Sequence, residues 1–225
     1  MKRNVDMSEI SDGNLYDLND MVKADCQDCK GCSACCRGMG QSIVLDPLDV
    51  YHLTTELNTT FDQLLEQAIE LSVFDGVILP NLKMTNDGGS CYFLNEEGRC
   101  KIHPFRPGIC RLFPLGRVYE ENGFKYFLQI HECKHPNKTK VKVKKWIDTP
   151  NLPQNQEFIL AWHDFIDDIQ NKLRTVASDE LVKKIDIFIL QQFFLERYNA
   201  EEEFYVQFSN RLEKAKKIIE TLMKQ

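Results

Sequence analysis

Nine cysteines carry the chemistry that is legible in this chain. Five fall in one short run, Cys26, Cys29, Cys32, Cys35 and Cys36, and four follow singly at Cys91, Cys100, Cys110 and Cys133. A gap of two residues lets a tight turn aim two sulfurs at one ion, which is why the spacing recurs in zinc and iron–sulfur sites alike. Its repetition, with further cysteines in a turn-rich stretch, points to metal binding through thiolates rather than to simple packing. The adjacent pair Cys35-Cys36 adds a constraint. In extended backbone, neighbouring side chains face opposite ways, so the pair divides between two centres or one member packs. If most of the eight cysteines from Cys29 to Cys133 are ligands, two four-ligand centres or one polynuclear cluster are the simplest counts.

Charge is consistent with this reading. Four thiolates around a divalent ion leave a net charge of about −2, which needs cations and hydrogen bonds if it is to be enclosed. Lys30, Arg37, Arg99, Lys101, Arg106, Arg111 and Lys134 all lie within a few residues of a cysteine. Arg111, next to Cys110, is the one expected to stand beside a thiolate. The run Cys26-x2-Cys29-x2-Cys32 opens like a bacterial ferredoxin, but Cys35 follows after two residues and Arg37 comes after Cys36. The three-residue gap and Cys-Pro of that run are missing, so a ferredoxin fold is not expected, although a cluster is not excluded.

Taken together, CKGCSACC at 29–36, CYFL at 91–94, CKIH at 100–103, RPGICRLFP at 106–114 and the late Cys133 resemble the YkgJ-type cysteine-cluster family, which is taken to chelate zinc or iron. The resemblance spans about residues 26–135. It implies that Cys29, Cys32, Cys35, Cys36, Cys91, Cys100, Cys110 and Cys133 form the metal-binding set, with zinc or an iron–sulfur cluster as the cofactor. Cys26 falls outside the motif, so Cys26→Ser is expected to be milder than replacement of Cys32 or Cys110. His103 stands where members often carry Tyr and is not expected to ligate. The flagellin lysine methylases carry a similar cluster, which implies iron–sulfur-dependent methyl transfer to protein lysine, but this chain is short for that group. The reading is thus a metal-binding cysteine-cluster protein. Its alternatives are a redox or methyl-transfer enzyme with an iron–sulfur centre, and a zinc-stabilised module that binds protein.

Other chemistry is sparse. His131-x-Cys133-x-His135 could offer imidazoles on the face that carries Cys133, yet Cys133 alone is the expected ligand. His52 and His163 lie on amphipathic stretches and are expected to pack or to be partly exposed. No nucleophile elbow, phosphate loop or dinucleotide fingerprint appears, and Gly38-Met39-Gly40 is too short to count as one.

The elements that must position the cysteines read as α+β. Asp46-Pro47 opens one helix, and Thr60 opens another over FDQLLEQAIEL. QSIVL at 41–45 reads as a short strand. From 77 to 130, GVILPNLKM, CYFLN, RCKIH, CRLFPLGRVY and FKYFLQI read as strands cut by NDGG, NEEG, FRPG and EENG turns. A region so interrupted usually needs an added cross-link, such as a metal. Alternating Lys and Val at 138–145 suggests an edge strand guarded by lysine. Helices follow over roughly 155–174, after Ser178, and from near Glu201 to the end. The expected division is a polar segment over 1–19, a metal-stabilised cysteine domain over 20–148 and a helical region over 149–225. The stretch 181–195 is apolar on nearly every side, so it should be enclosed in a core or serve a protein partner or a second copy of this chain.

The remaining numbers bound the class. The chain has 225 residues, 28 Lys and Arg against 34 Asp and Glu, a net charge of −6, 43% apolar residues and 28% charged ones. These values suit a globular chain and argue against wholesale disorder. A mildly acidic balance gives no overall pull toward nucleic acid or anionic lipid. No membrane span is expected, the N-terminal stretch lacks the apolar core of a secretion signal, and a cytoplasmic, reducing setting follows as the expectation.

Overall fold

The computed structural model describes residues 6–26, 32–85, 89–121, 123–135, 137–175 and 178–224. The fold is α+β, and the chain forms two compact units, one of 44–82 with 154–225 and the other of 2–43 with 83–153. These units do not follow the expected 20–148 and 149–225 boundaries, because residues 44–82 group with the C-terminal helices.

That grouping has a packing cause. Helix α2 (Pro47–Glu56) begins where Asp46 accepts from the Asp49 N–H at 2.9 Å while the Asp49 carboxylate accepts from the Asp46 N–H at 3.1 Å. Helix α3 (Phe61–Gln67) begins with the same reciprocal cap between Thr60 and Gln63. It stops four residues short of the expected end. Ile69–Phe74 is instead strand β2, paired antiparallel with β3 (Val77–Leu82). The hairpin turns on Asp75-Gly76, both at positive φ, and this Asp-Gly signal overrides the helical stripe through Leu71. Phe61 of α3 stacks on Phe194 at 6.0 Å, and Tyr51 of α2 lies 5.1 Å from Phe204.

Three long helical segments supply those partners. They are α6 (Leu152–Leu173), α7 (Asp179–Leu190), which runs on as a π-helical turn at Gln191–Leu195, and α8 (Phe204–Leu222). Ser178 caps α7 by accepting from the Leu181 N–H at 3.3 Å. Their core is aromatic: Trp162 meets Phe193 at 5.0 Å and Phe158 meets Phe208 at 4.6 Å, with Ile185 and Ile189 fully buried beside them. Enclosure of 181–195 on every side does not hold, since Ile187 is 62% exposed while Asp186 on the same helix is buried. Asp186 is held inside because its carboxylate accepts from the Ile78 N–H of β3 at 3.1 Å.

The other unit is built from strand pairs and short helices. Helix α1 (Met7–Ile10) precedes β1 (Met21–Asp25), which pairs antiparallel with β6 (Thr139–Lys142), Val22 opposite Val141 and Asp25 opposite Thr139. Lys140 and Lys142 are exposed on β6, as an edge strand requires. The chain then turns directly into α5 (Val143–Ile147). Strands β4 (Leu115–Glu120) and β5 (Gly123–Leu128) form a hairpin. A small core of Val22, Ala24, Leu112, Leu115, Tyr126, Leu128, Val143 and Ile147 joins these elements.

Several expected strands are absent here. QSIVL contributes only a bridge from Val44 to Asn81, while CYFLN and RCKIH are held by the bridges Met84–Cys91 and Leu94–Cys100. Tight turns leave them too short to pair further: the Asn95 N–H donates to the Arg99 carbonyl at 2.9 Å and the Gly98 N–H to the Asn95 carbonyl at 3.0 Å. The start of CRLFPLGRVY is helical, as α4 (Gly108–Leu112) directly after Pro107, and the Phe113-Pro114 peptide is cis. No described helix is long and apolar enough to cross a membrane.

Candidate metal centre

The β1–β6 pair sets the geometry of the cysteine region. Cys26 directly follows β1, and Cys133 lies six residues before β6, so pairing Asp25 with Thr139 draws the two segments together. The Thr139 hydroxyl also donates to the Asp25 carboxylate at 3.2 Å. Beside this joint is a cavity of about 20 Å³ whose walls include Cys26, Cys32, Cys35, Cys133, Glu132, Lys134 and His135, with Ala34, Phe113 and Pro114 completing them. Three of the eight expected ligands, Cys32, Cys35 and Cys133, thus line one cavity, and Cys26 lines it with them. Cys26 is 3% exposed. The His135 Nδ1 is buried with no hydrogen-bond partner. Lys138 Nζ donates to the Cys133 carbonyl at 2.9 Å.

Cys36 goes elsewhere. Ala34–Cys36 is a single 3-10 turn, closed by the Cys36 N–H on the Ser33 carbonyl at 3.0 Å. The Cys36 carbonyl then accepts from the Cys91 N–H at 2.8 Å. Cys35 therefore lines the cavity while its neighbour turns toward a second segment. The close approach of the two segments at this point uses two glycines at positive φ, with the Gly38 N–H donating to the Gly89 carbonyl at 2.7 Å. Burial pushes the Cys91 thiol above its ordinary range, partly offset by the Phe93 N–H, and the nearby Cys100 adds to the rise. Cys91 and Cys100 are thus thiol neighbours, and the Cys36 backbone is bonded to the same segment. Cys110 sits in α4 and is not among the cavity walls. Cys29 lies outside the described residues.

None of the eight described cysteines forms a disulfide. Among the described residues, no group of three or more His, Cys, Asp or Glu side chains is arranged to hold a metal ion as it stands. Three of the cations near the cysteines have clear partners. Arg37 donates to the Ser90 hydroxyl at 2.7 Å, and Arg106 contacts the His103 ring. Arg111, expected beside a thiolate, donates to the Asp148 carbonyl at 3.1 Å and to the Pro104 carbonyl. His52 and His163 are both half-buried.

Sequence reasoning set aside two of the residues that line the cavity. Cys26 was signalled by the same two-residue gap that joins the others, but it precedes the motif. His135 was signalled by its alternation with Cys133, which lets the two share a face.

A thiol-rich set of this kind in an α+β fold suits zinc or iron, both of which take sulfur ligands. The family model whose description reads "putative zinc- or iron-chelating domain", known by its CxxCxxCC motif, matches residues 28–144. That is more than half of the chain, and the chain belongs to this family. No curated protein and no solved structure matches it.

Proposed function

We propose that this chain binds zinc, with one ion at the cavity lined by Cys32, Cys35 and Cys133, and that this ion serves as a cross-link for the unit of 2–43 with 83–153. The carrying observation is that these three cysteines, from segments about a hundred positions apart, line one cavity of about 20 Å³. A space of that size takes about one water-sized sphere, which suits one ion better than a four-iron cubane. Zinc bound by sulfur is four-coordinate and closed, and its role is structural rather than catalytic. The thiols must lose their protons to bind it, so affinity falls as the pH is lowered. Cys36, Cys91 and Cys100, with Cys110, are the ligands we assign to a second ion. The readings as redox enzyme or methyl-transfer enzyme rest on the resemblance alone and use no residue placed here.

Elemental analysis of protein purified anaerobically tests this. Colourless protein with one to two zinc per chain is the expected result, with Cys32→Ser and Cys110→Ser each lowering bound metal and stability together. Brown protein carrying iron and acid-labile sulfide overturns the zinc reading. Unchanged metal content in both variants overturns the ligand assignment.

A further inference from the structure

Lysines gather on one face of this chain more densely than the edge of a sheet needs. We propose that the outward face of the β1–β6 pair, with the adjoining α5, docks the phosphate backbone of double-stranded nucleic acid without regard to sequence. The inference stands apart from the zinc reading and uses none of its ligands.

The charge is local. The chain as a whole is acidic, but its signs are separated: 44–82 holds seven Asp and Glu and no Lys or Arg, whereas 134–145 holds six Lys and no Asp or Glu. Strand pairing decides where the lysines point. Met21 stands opposite Lys142, and Val22 opposite Val141. Val22 is buried and Val141 packs against the same small core. The alternate positions, Lys140 and Lys142 of β6 with Met21 and Lys23 of β1, therefore face outward, and all four are exposed. Lys144 and Lys145 of α5 follow directly and are exposed as well. A guard against edge pairing accounts for Lys140 and Lys142. It does not account for Lys23 on the other strand, or for Lys144 and Lys145 beyond the sheet. Like charges brought close in this way are destabilising, so the arrangement serves an anionic partner rather than the fold.

The make-up of the face selects the partner. Protein interfaces are poor in lysine and rich in aromatic side chains, Met and Arg. Among these outward positions only Met21, 48% exposed, is of that kind. Interfaces with DNA are the strongly positive ones. Trp146, next to Lys145, does not offer a base a stacking surface, because it is half-buried and its indole N–H donates to the Phe113 carbonyl at 3.1 Å. Lysine brings a point charge, not the planar fork with which arginine reads guanine. The inner side of the strand pair is packed on the core, which keeps it from entering the major groove as a free ribbon does. Contact is thus with phosphates, which position a protein but carry no sequence information.

Fluorescence anisotropy of the full-length chain with labelled DNA duplexes of about 20 base pairs, read across a salt series, tests this. Affinity should fall with a log–log slope of about −0.9 for each phosphate neutralised, up to about −4.5 for five lysines, and duplexes of unrelated sequence should give the same curve. Lys140→Gln combined with Lys142→Gln should take about 1.8 off the slope and lower affinity on the order of 60-fold at about 0.1 M salt. Lys214→Gln combined with Lys216→Gln, both exposed on α8, changes the net charge equally and should leave binding unchanged. An equal loss in the two pairs, or none in the first, overturns the proposal. So does a preference between duplex sequences. Binding of polyglutamate or of phosphatidylserine vesicles without binding of duplex also overturns it, and gives the face to an acidic protein or to a membrane. Should the first pair fail to fold, acetylation of the unsubstituted protein decides. Duplex should shield Lys23, Lys140, Lys142, Lys144 and Lys145 while Lys214 and Lys216 stay reactive, and unchanged acetylation of the face in saturating duplex overturns the proposal.

Discussion

On the zinc reading proposed above, chelation is expected to unfold one unit of this chain and spare the other. Among its described residues, the unit of 2–43 with 83–153 has a small apolar core and two strand pairs, β1–β6 and β4–β5. Its cysteine segments are joined by isolated bridges, Arg37–Ser90, Met84–Cys91 and Leu94–Cys100, rather than by a sheet. Each backbone hydrogen bond there contributes about 1 kcal/mol net. A structural zinc ion contributes on the order of 10–16 kcal/mol at neutral pH in small zinc domains, against a total stability of about 5–15 kcal/mol for a typical domain. Removing the ion therefore takes away as much free energy as the whole unit would be expected to have. Hydrogen exchange read by mass spectrometry gives the outcome segment by segment. After chelation, protection should vanish at the Gly38, Cys91 and Lys101 amides, which now donate at 2.7 to 2.8 Å to Gly89, Cys36 and Phe93. It should persist at Leu45, whose N–H donates to Pro80 at 2.9 Å, and at Ile78, whose N–H donates to Asp186 at 3.1 Å. Retained protection at Cys91 and Lys101 in metal-free protein would refute the idea that coordination holds this unit together.

Other outcomes follow from single sites. Burial raises the Asp186 carboxyl above the usual range, the Ile78 N–H partly opposing it, so the cost of its charge is absent at low pH and grows as the pH rises through the folded value. Asp186→Asn keeps the acceptor and drops the charge, and should raise the thermal midpoint at pH 7 while flattening its decline above pH 4, the approximate range of an unfolded carboxyl. Asp186→Ala should cost about 1–3 kcal/mol in denaturant melts by leaving the Ile78 amide unpaired. Arg211 donates to the carbonyls of Gln192 at 2.9 Å and Arg197 at 2.7 Å and lies 3.8 Å over the Tyr198 ring. Arg211→Ala should therefore cost about 2 kcal/mol and increase amide exchange at 191–198, whereas Arg211→Lys should recover part of this. A Cβ on Gly116 would collide with the Phe127 ring, so Gly116→Val should destabilise the β4–β5 hairpin by about 1–3 kcal/mol, seen as a lowered unfolding midpoint.

Much of this protein was legible along the chain. The two-residue spacing from Cys26 to Cys35 announced metal chemistry, because spacing is a local property that any tight turn converts into shared direction. Capping residues Asp46, Thr60 and Ser178 announced three helices for the same reason, since the cap bond closes within three residues. Leu71 was misplaced because a helical stripe and a strand look alike over a few residues, and the Asp75-Gly76 turn decided between them. What lay beyond the sequence was non-local. Pairing of β1 with β6 brings Cys26 beside Cys133, and a one-residue change of direction at the 3-10 turn sends Cys36 toward Cys91 while Cys35 stays at the cavity. Packing of Phe61 on Phe194 moves 44–82 into the helical unit. The sequence determined which atoms could bind a metal. Only the tertiary structure decided which of them meet, because that depends on contacts between segments a hundred residues apart, which no local pattern encodes.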